Sequence, residues 1–258
     1  MYPLLGINPL VAYDVATYGR LIKSQGGELG DGIVSEQEAF ARLTNFVTGL
    51  YASAGRRCDF WPLMEAYQLG FGSKCYSFHG LEGTLVNGPV WGRDGIKFNQ
   101  SASQYIDTSI GLLQLPATHI SVCNPSGSYP TIWGSASVNV NLYMDTQAAS
   151  SHSRFVFSWN GLNNLISDDG FAGKFTMVAI ASGSAGADYT MGINGVTVAN
   201  NGPIGQGVGN LRIGGRNAAY MHGTIALHLH DKSRFSQTQI AAVYAAYKTT
   251  LGKDLVLP

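Results

Sequence analysis

The order of apolar and polar positions divides the chain into three zones. Residues 1–34 show no sustained period. They hold two prolines, several glycines and the loop-like stretch LIKSQGGELGDG (21–32). This zone is expected to be an extended arm, ordered by a neighbour or by the main body. From Ser35 the pattern turns helical. Phe40, Leu43, Val47, Leu50 and Ala54 recur at steps of three and four, which places them on one helix face. Ser35-Glu36-Gln37-Glu38 has the form of a capping box, and Gly55 with Arg56 and Arg57 supplies a stop. The stretch CDFWPLMEAYQLG (58–70) is expected to form a second, shorter helix with Pro62 in its first turn, so that a helical segment covers 35–73.

From residue 74 the period falls to two. KCYSFHG, PVWGRDGIKFN, HISVCNP, TIWGSASVNVNLYMD, SRFVFSWN, FTMVAIAS, DYTMGINGVTVAN and GTIALHLHD follow one another, separated by NG, PSGS, SDDG and NNGP turn signals. Short strands at this spacing predict a sandwich or barrel. The chain closes on a helix over 236–252: Ser236 and Gln239 form another capping box, Ile240, Val243, Tyr244, Tyr247 and Leu251 share a face, and Gly252 ends it. The expected architecture is mainly β over 74–258, preceded by the arm and the helical segment.

Composition narrows the function classes. The chain is 45% hydrophobic and 12% charged, which excludes a disordered chain. Sixteen basic and sixteen acidic residues cancel, so there is no long-range field to collect phosphates, and nucleic acid is not an expected partner. The first charge is Asp14, and no apolar run approaches the roughly 18 residues of a membrane span. Neither a leader nor membrane insertion is expected, and synthesis in a cytoplasm is. Three cysteines without ligand spacing read as free thiols.

Two stretches carry a resemblance. PVWGRDGIKFNQSASQYIDTS (89–109) and NLRIGGRNAAYMHGTIALHLHDKSRFSQTQIAAVYAAYK (210–248) resemble the laminin-G-like, concanavalin A-like jelly roll in the order of their strands and closing helix. The lead-in, an amphipathic helix before DFWPL and LEGTLVNGPVWGRDGIKFN, is similar to virion proteins of tailed bacteriophages. That resemblance implies a structural part of a virion: a tail fibre, a tail accessory protein or a capsid decoration. Its partners would be other virion proteins and copies of itself, with the exposed jelly roll contacting host-surface glycan. The alternatives are a carbohydrate-binding adhesin module outside a virion and an atypical glycanase.

The chemistry-bearing residues bear on that choice. Glucanases on this fold take paired carboxylates from one strand. The five glutamates here, Glu28, Glu36, Glu38, Glu65 and Glu82, have no strand Asp two residues away, so no catalytic residue is assigned. Calcium would need six to eight oxygens; Asp145, Asp168, Asp169 and Asp188 lie near turns, where carboxylates also cap turns, and no cofactor is expected. His228 and His230 share one face of a strand, expected to be exposed or partner-facing. Zinc would need further ligands, and no metal is assigned. In SVNVNLYMD (137–145), Asn139, Asn141 and Tyr143 alternate with apolar residues, and Trp133 lies just upstream. Trp133, Asn139, Asn141 and Tyr143 are the candidate carbohydrate-binding set; the competing reading makes the polar row a solvated face and the tryptophan core.

Overall fold

The computed structural model describes residues 8–111, 116–135, 140–145, 153–159, 162–167, 170–184, 189–201, 209–216 and 219–258. Helices α1 (Pro9–Ser24) and α2 (Glu36–Ala54) come first. They are followed by β1 (Asp59–Pro62), β2 (Lys74–Tyr76), β3 (Glu82–Val86), β4 (Ile96–Phe98) and β5 (Tyr105–Gly111). The middle of the chain holds β6 (Ala117–Pro125), β7 (Thr131–Ser135), β8 (Val140–Asp145), β9 (Arg154–Trp159) and β10 (Leu162–Ile166). Then β11 (Thr176–Ser182), β12 (Tyr189–Ile193), β13 (Val196–Asn201), β14 (Asn210–Ile213) and β15 (Gly223–Asp231) lead into α3 (Gln237–Thr249). Among the described residues no helix is long and apolar enough to cross a membrane.

The strands form two antiparallel sheets. One is seven-stranded, in the order β1-β15-β6-β11-β12-β13 with β4 also on β15; the other is eight-stranded, in the order β10-β9-β8-β7-β14-β5-β3-β2. The mainly β sandwich expected from the strand pattern is present. The seven-stranded sheet is the middle of three layers. Its inner face meets the other sheet in a core that includes Trp61, Phe98, Val178, Ile225, Trp133, Phe157 and Ile213. Its outer face carries all three helices, through Leu227, Leu229, Ile120, Met177 and Phe60 against Val15, Tyr18, Phe46, Leu50, Val243 and Tyr247.

Helix α2 starts as expected, with the Ser35 hydroxyl accepting from the Glu38 N–H, and stops at Gly55 in the left-handed conformation, φ 70°. Glu38 does not complete the box; its carboxylate accepts from Arg42 instead. At α3 both halves of the capping box close, and the helix ends at Thr249, three residues short of Gly252.

Two expectations are corrected. Residues 9–24 are not an extended arm but helix α1, started by the Asn8 side chain and a proline in the first turn. Val11, Val15, Tyr18 and Ile22 bury one stripe of it, and the Tyr18 hydroxyl donates to the Tyr67 carbonyl. The stretch 58–70 is not a helix either. Asp59–Pro62 is an edge strand on β15, where Phe60 enters the helical core and Trp61 the inter-sheet core, and only Glu65–Tyr67 makes a 3-10 turn. An edge strand tolerates Pro62, which has no N–H to donate. Because β1 belongs to the sandwich, residue 74 separates no helical domain from a β domain.

Gly223 opens β15 at φ 122°, and a Cβ there would stand 2.2 Å from the Asn124 carbonyl oxygen. Gly223→Ala should therefore cost roughly 3 kcal/mol, from a glycine-only conformation and a clash with backbone. Gly88→Ala, at φ 66° with nothing within 4 Å, should cost about 1–2 kcal/mol. Urea unfolding of the two variants measures the difference; equal losses would contradict the packing at β15.

Candidate functional site

The helices cover one face of the sandwich, and the outer face of the eight-stranded sheet lies opposite. Strand alternation decides what that face displays. In β14, Leu211 and Ile213 point into the inter-sheet core and Arg212 points out. Arg212 pairs across to Asp107 on β5 and to Gly134 on β7; Gly134 pairs to Asn141 on β8, and Asn141 to Ser158 on β9. Asp107, Arg212, Gly134, Asn141 and Ser158 thus form one polar row across five strands. Tyr105 and Tyr143 lie on the same face, two residues from Asp107 and Asn141.

The row is ordered by side-chain contacts. The Arg212 guanidinium lies 4.4 Å from the Tyr105 ring centre, and Tyr105 stacks on Tyr220 at 6.0 Å. Arg216 donates to the Asn141 side-chain oxygen at 2.9 Å. Tyr143 is half-buried beside Tyr129, ring centres 6.3 Å apart.

Of the sequence-derived carbohydrate set, Asn141 and Tyr143 are brought together on this face. Asn139 lies outside the described residues. Trp133 is corrected: it is fully buried, and its ring stacks on His119 at 4.5 Å inside the sandwich. A register shift between Thr131 and Trp133 accompanies its inward turn, so it has no exposed face for a sugar. Arg212, Arg216 and Tyr105 were not singled out from sequence, although the Leu-Arg-Ile alternation of NLRI places Arg212 on the outer face. Of the carboxylates considered for calcium, Asp168, Asp169 and Asp188 lie outside the described residues.

His228 and His230 are also corrected. They do not face solvent or a partner but the interior, at 0% and 7% exposure, because β15 is covered on both sides. They meet His119 of β6 at ring distances of 5.7 and 4.7 Å, and His228 Nδ1 bonds the Ser121 hydroxyl at 2.9 Å. Burial, with the neighbouring imidazoles, holds His228 down to about 3 and His119 well below its usual range. Burial holds His230 down to about 4, although Asp231 pulls the other way. Among the described residues, no three His, Cys, Asp or Glu side chains are arranged to hold a metal.

A cleft of about 710 Å³ opens where the helical layer meets the sandwich edge, lined by Arg56, Arg57, Asp59, His79, His230 and Asp231 among others. Its two carboxylates and its arginines are committed to one another or to neighbouring donors and acceptors. Arg57 grips buried Asp14, which also accepts from the Tyr51 hydroxyl at 2.8 Å, and Arg56 pairs with Asp231 at 2.6 Å. Asp59 accepts from Ser77, from the His79 N–H and from its neighbour's N–H. Burial raises its carboxyl above the usual range, against the pull of those donors. These contacts pin α1 and the end of α2 to β1 and β15.

No protein-family model matches the sequence, and no curated protein does. Solved structures do. Trypanosoma rangeli sialidase is 10% identical over 84% of this chain and 39% of that chain, with a TM-score of 0.56. A mutant of that sialidase displaying trans-sialidase activity is 11% identical over 96% of this chain and 40% of that one, with a TM-score of 0.57. A point mutant of HCR/D is 13% identical over 72% of this chain and 50% of that one, with a TM-score of 0.51. The chain therefore spans about two fifths of the sialidase chains it matches. At such identity the likeness concerns the fold: a concanavalin A-like jelly-roll sandwich.

The buried imidazoles predict a pH dependence. In the unfolded chain each titrates near 6.5, whereas folded His230 and His228 stay neutral down to about 4 and 3. Below pH 6.5 the unfolded state binds protons that the folded state does not, so stability falls as pH drops towards 4. The slope is up to about 1.4 kcal/mol per pH unit for each buried histidine. Denaturant unfolding between pH 7.5 and 5 reads this loss, and a flat profile would contradict burial of the trio.

Proposed function

We propose that this chain is a non-enzymatic structural protein of a tailed-bacteriophage virion, whose lectin-like jelly roll contacts host-surface glycan through the outer face of the eight-stranded sheet. The observation that carries the reading is the row Asp107, Arg212, Gly134, Asn141 and Ser158, bordered by Tyr105 and Tyr143. Hydrogen-bonding side chains between aromatic rings suit a sugar, which offers hydroxyls at its rim and C–H groups on its faces. The helix-led layout before the sandwich supports the virion assignment, and α1 to α3 on the opposite face give an attachment layer away from the polar row. The lectin-like fold agrees with glycan contact.

The non-enzymatic part of the reading is supported by the cleft. Its two lining carboxylates, Asp59 and Asp231, are taken up by donors from Ser77, backbone amides, Arg56 and Ser233. A glycosidase pair needs one carboxyl free to protonate and one to attack or activate water.

Two measurements test the proposal. Electron microscopy of particles with and without the protein should locate it on the virion, and particles in which it occupies no position would refute the virion assignment. On an array of bacterial surface polysaccharides, Tyr105→Ala and Tyr143→Ala, at half-buried side chains of this face, should each lose about tenfold or more in affinity while keeping a cooperative melting transition, roughly 1.4 kcal/mol of binding per tenfold. Trp133→Ala should instead lose about 3–5 kcal/mol of stability. Array binding unchanged in both face variants would move the site elsewhere.

A further inference from the structure

The outer face carries Arg212 within the polar row and Arg216 beside it, with Asp107 as the row's one carboxylate. Among the described residues neither arginine has an ion-pair partner: Arg216 bonds the neutral Asn141 amide, and Arg212 lies over Tyr105. Arg212 stands directly opposite Asp107 in the strand register without pairing with it. Around Arg212, two guanidinium groups stand against the one carboxylate of Asp107, a local excess of one positive charge. A guanidinium cannot shed that charge, so the patch favours an anion.

The hydrogen-bond inventory adds a second, independent observation. The Asn141 side-chain oxygen is occupied by Arg216, which fixes its amide orientation and turns Nδ2 the other way. Asn141 is fully buried, and this Nδ2 has no acceptor. The Arg212 Nε is likewise buried without an acceptor. Buried donors are nearly always paired, and these two unpaired ones flank Gly134 in a single row, two strand spacings or about 10 Å apart. Gly134 between them has no side chain to fill the gap. Two arginines without an ion-pair partner, an unsatisfied Arg212 Nε and the ring pair at Tyr105–Tyr220 point to an anionic ligand with an apolar face.

We infer that this face binds a carboxylate-bearing polysaccharide, with the sugar carboxylate received by the Arg212 fork beside Arg216, and one sugar ring against Tyr105 and Tyr220. The inference rests on the glycan reading above and narrows it to acidic sugars. A carboxylate suits the Arg212 fork because it is planar and pairs with the guanidinium bidentately.

The test is equilibrium binding of the full chain to three hexuronate polymers, polygalacturonate, alginate and hyaluronate. Each is compared with its methyl ester, and dextran and dextran sulfate serve as references. At least one acid polymer should bind tenfold or more tightly than its own ester. Arg212→Gln, verified as folded by its melting curve, should abolish that preference, and Arg212→Lys should restore only part of it, since it keeps the charge but loses the fork. Equal binding of acid and ester would overturn the acidic specificity while leaving glycan recognition standing. Binding to none of these polymers and to nothing on the polysaccharide array would overturn both. Dextran sulfate binding as tightly as the uronates, with no effect of Arg212→Gln, would reduce the face to a general anion attractor and overturn the inference. So would a variant that binds saccharide normally but loses self-association in sedimentation, because the face would then be a protein interface.

Discussion

Strands β6, β11 and β15 run through the middle of a sheet that has helices on one face and a second sheet on the other. Neither set of alternating side chains on these strands reaches water. β11 is buried at all seven positions, and β15 from Ile225 to Asp231. This double burial organises the molecule. It requires an apolar partner layer on each side, which is why α1, α2 and α3, far apart in sequence, converge on one surface. It also leaves the eight-stranded sheet, which has the helical layer on neither of its faces, to carry polar residues outward.

The same constraint explains where sequence reading succeeded and where it failed. Helix α2 and helix α3 were legible because their caps are local chemistry: a serine hydroxyl and an amide three residues on. The strand series was legible from period and turns. His228 and His230 were not, because alternation reports two faces and cannot say that both are covered. Helix α1 was hidden behind prolines and glycines at its borders, although Val11, Val15, Tyr18 and Ile22 have helical spacing. β1 was misread because Phe60 and Trp61 are both apolar and fill two different cores, a pattern without period.

The candidate site was half legible. Alternation along β8 placed Asn141 and Tyr143 on the face that the sheet turns away from its core. Trp133 was not legible, since its register shift against β8 is a tertiary feature with no local mark. The arginines needed the sheet: Arg212 and Asn141 are 71 positions apart in the chain and become neighbours only through Gly134. Chemistry written across strands is invisible until strand order is known. The cleft beside α1 makes the opposite point, since Asp14, Tyr51, Arg57 and His79 look like a reactive group but hold helices to the sandwich.

In the proposed function the helical face attaches and the sheet face recognises, and hydrogen–deuterium exchange of the chain with and without a bound surface polysaccharide compares the two directly. Protection on ligand addition should concentrate in peptides covering β14 and β8, with α1, α2 and α3 unchanged. Protection confined to the helices, with none at Arg212 or Asn141, would contradict it.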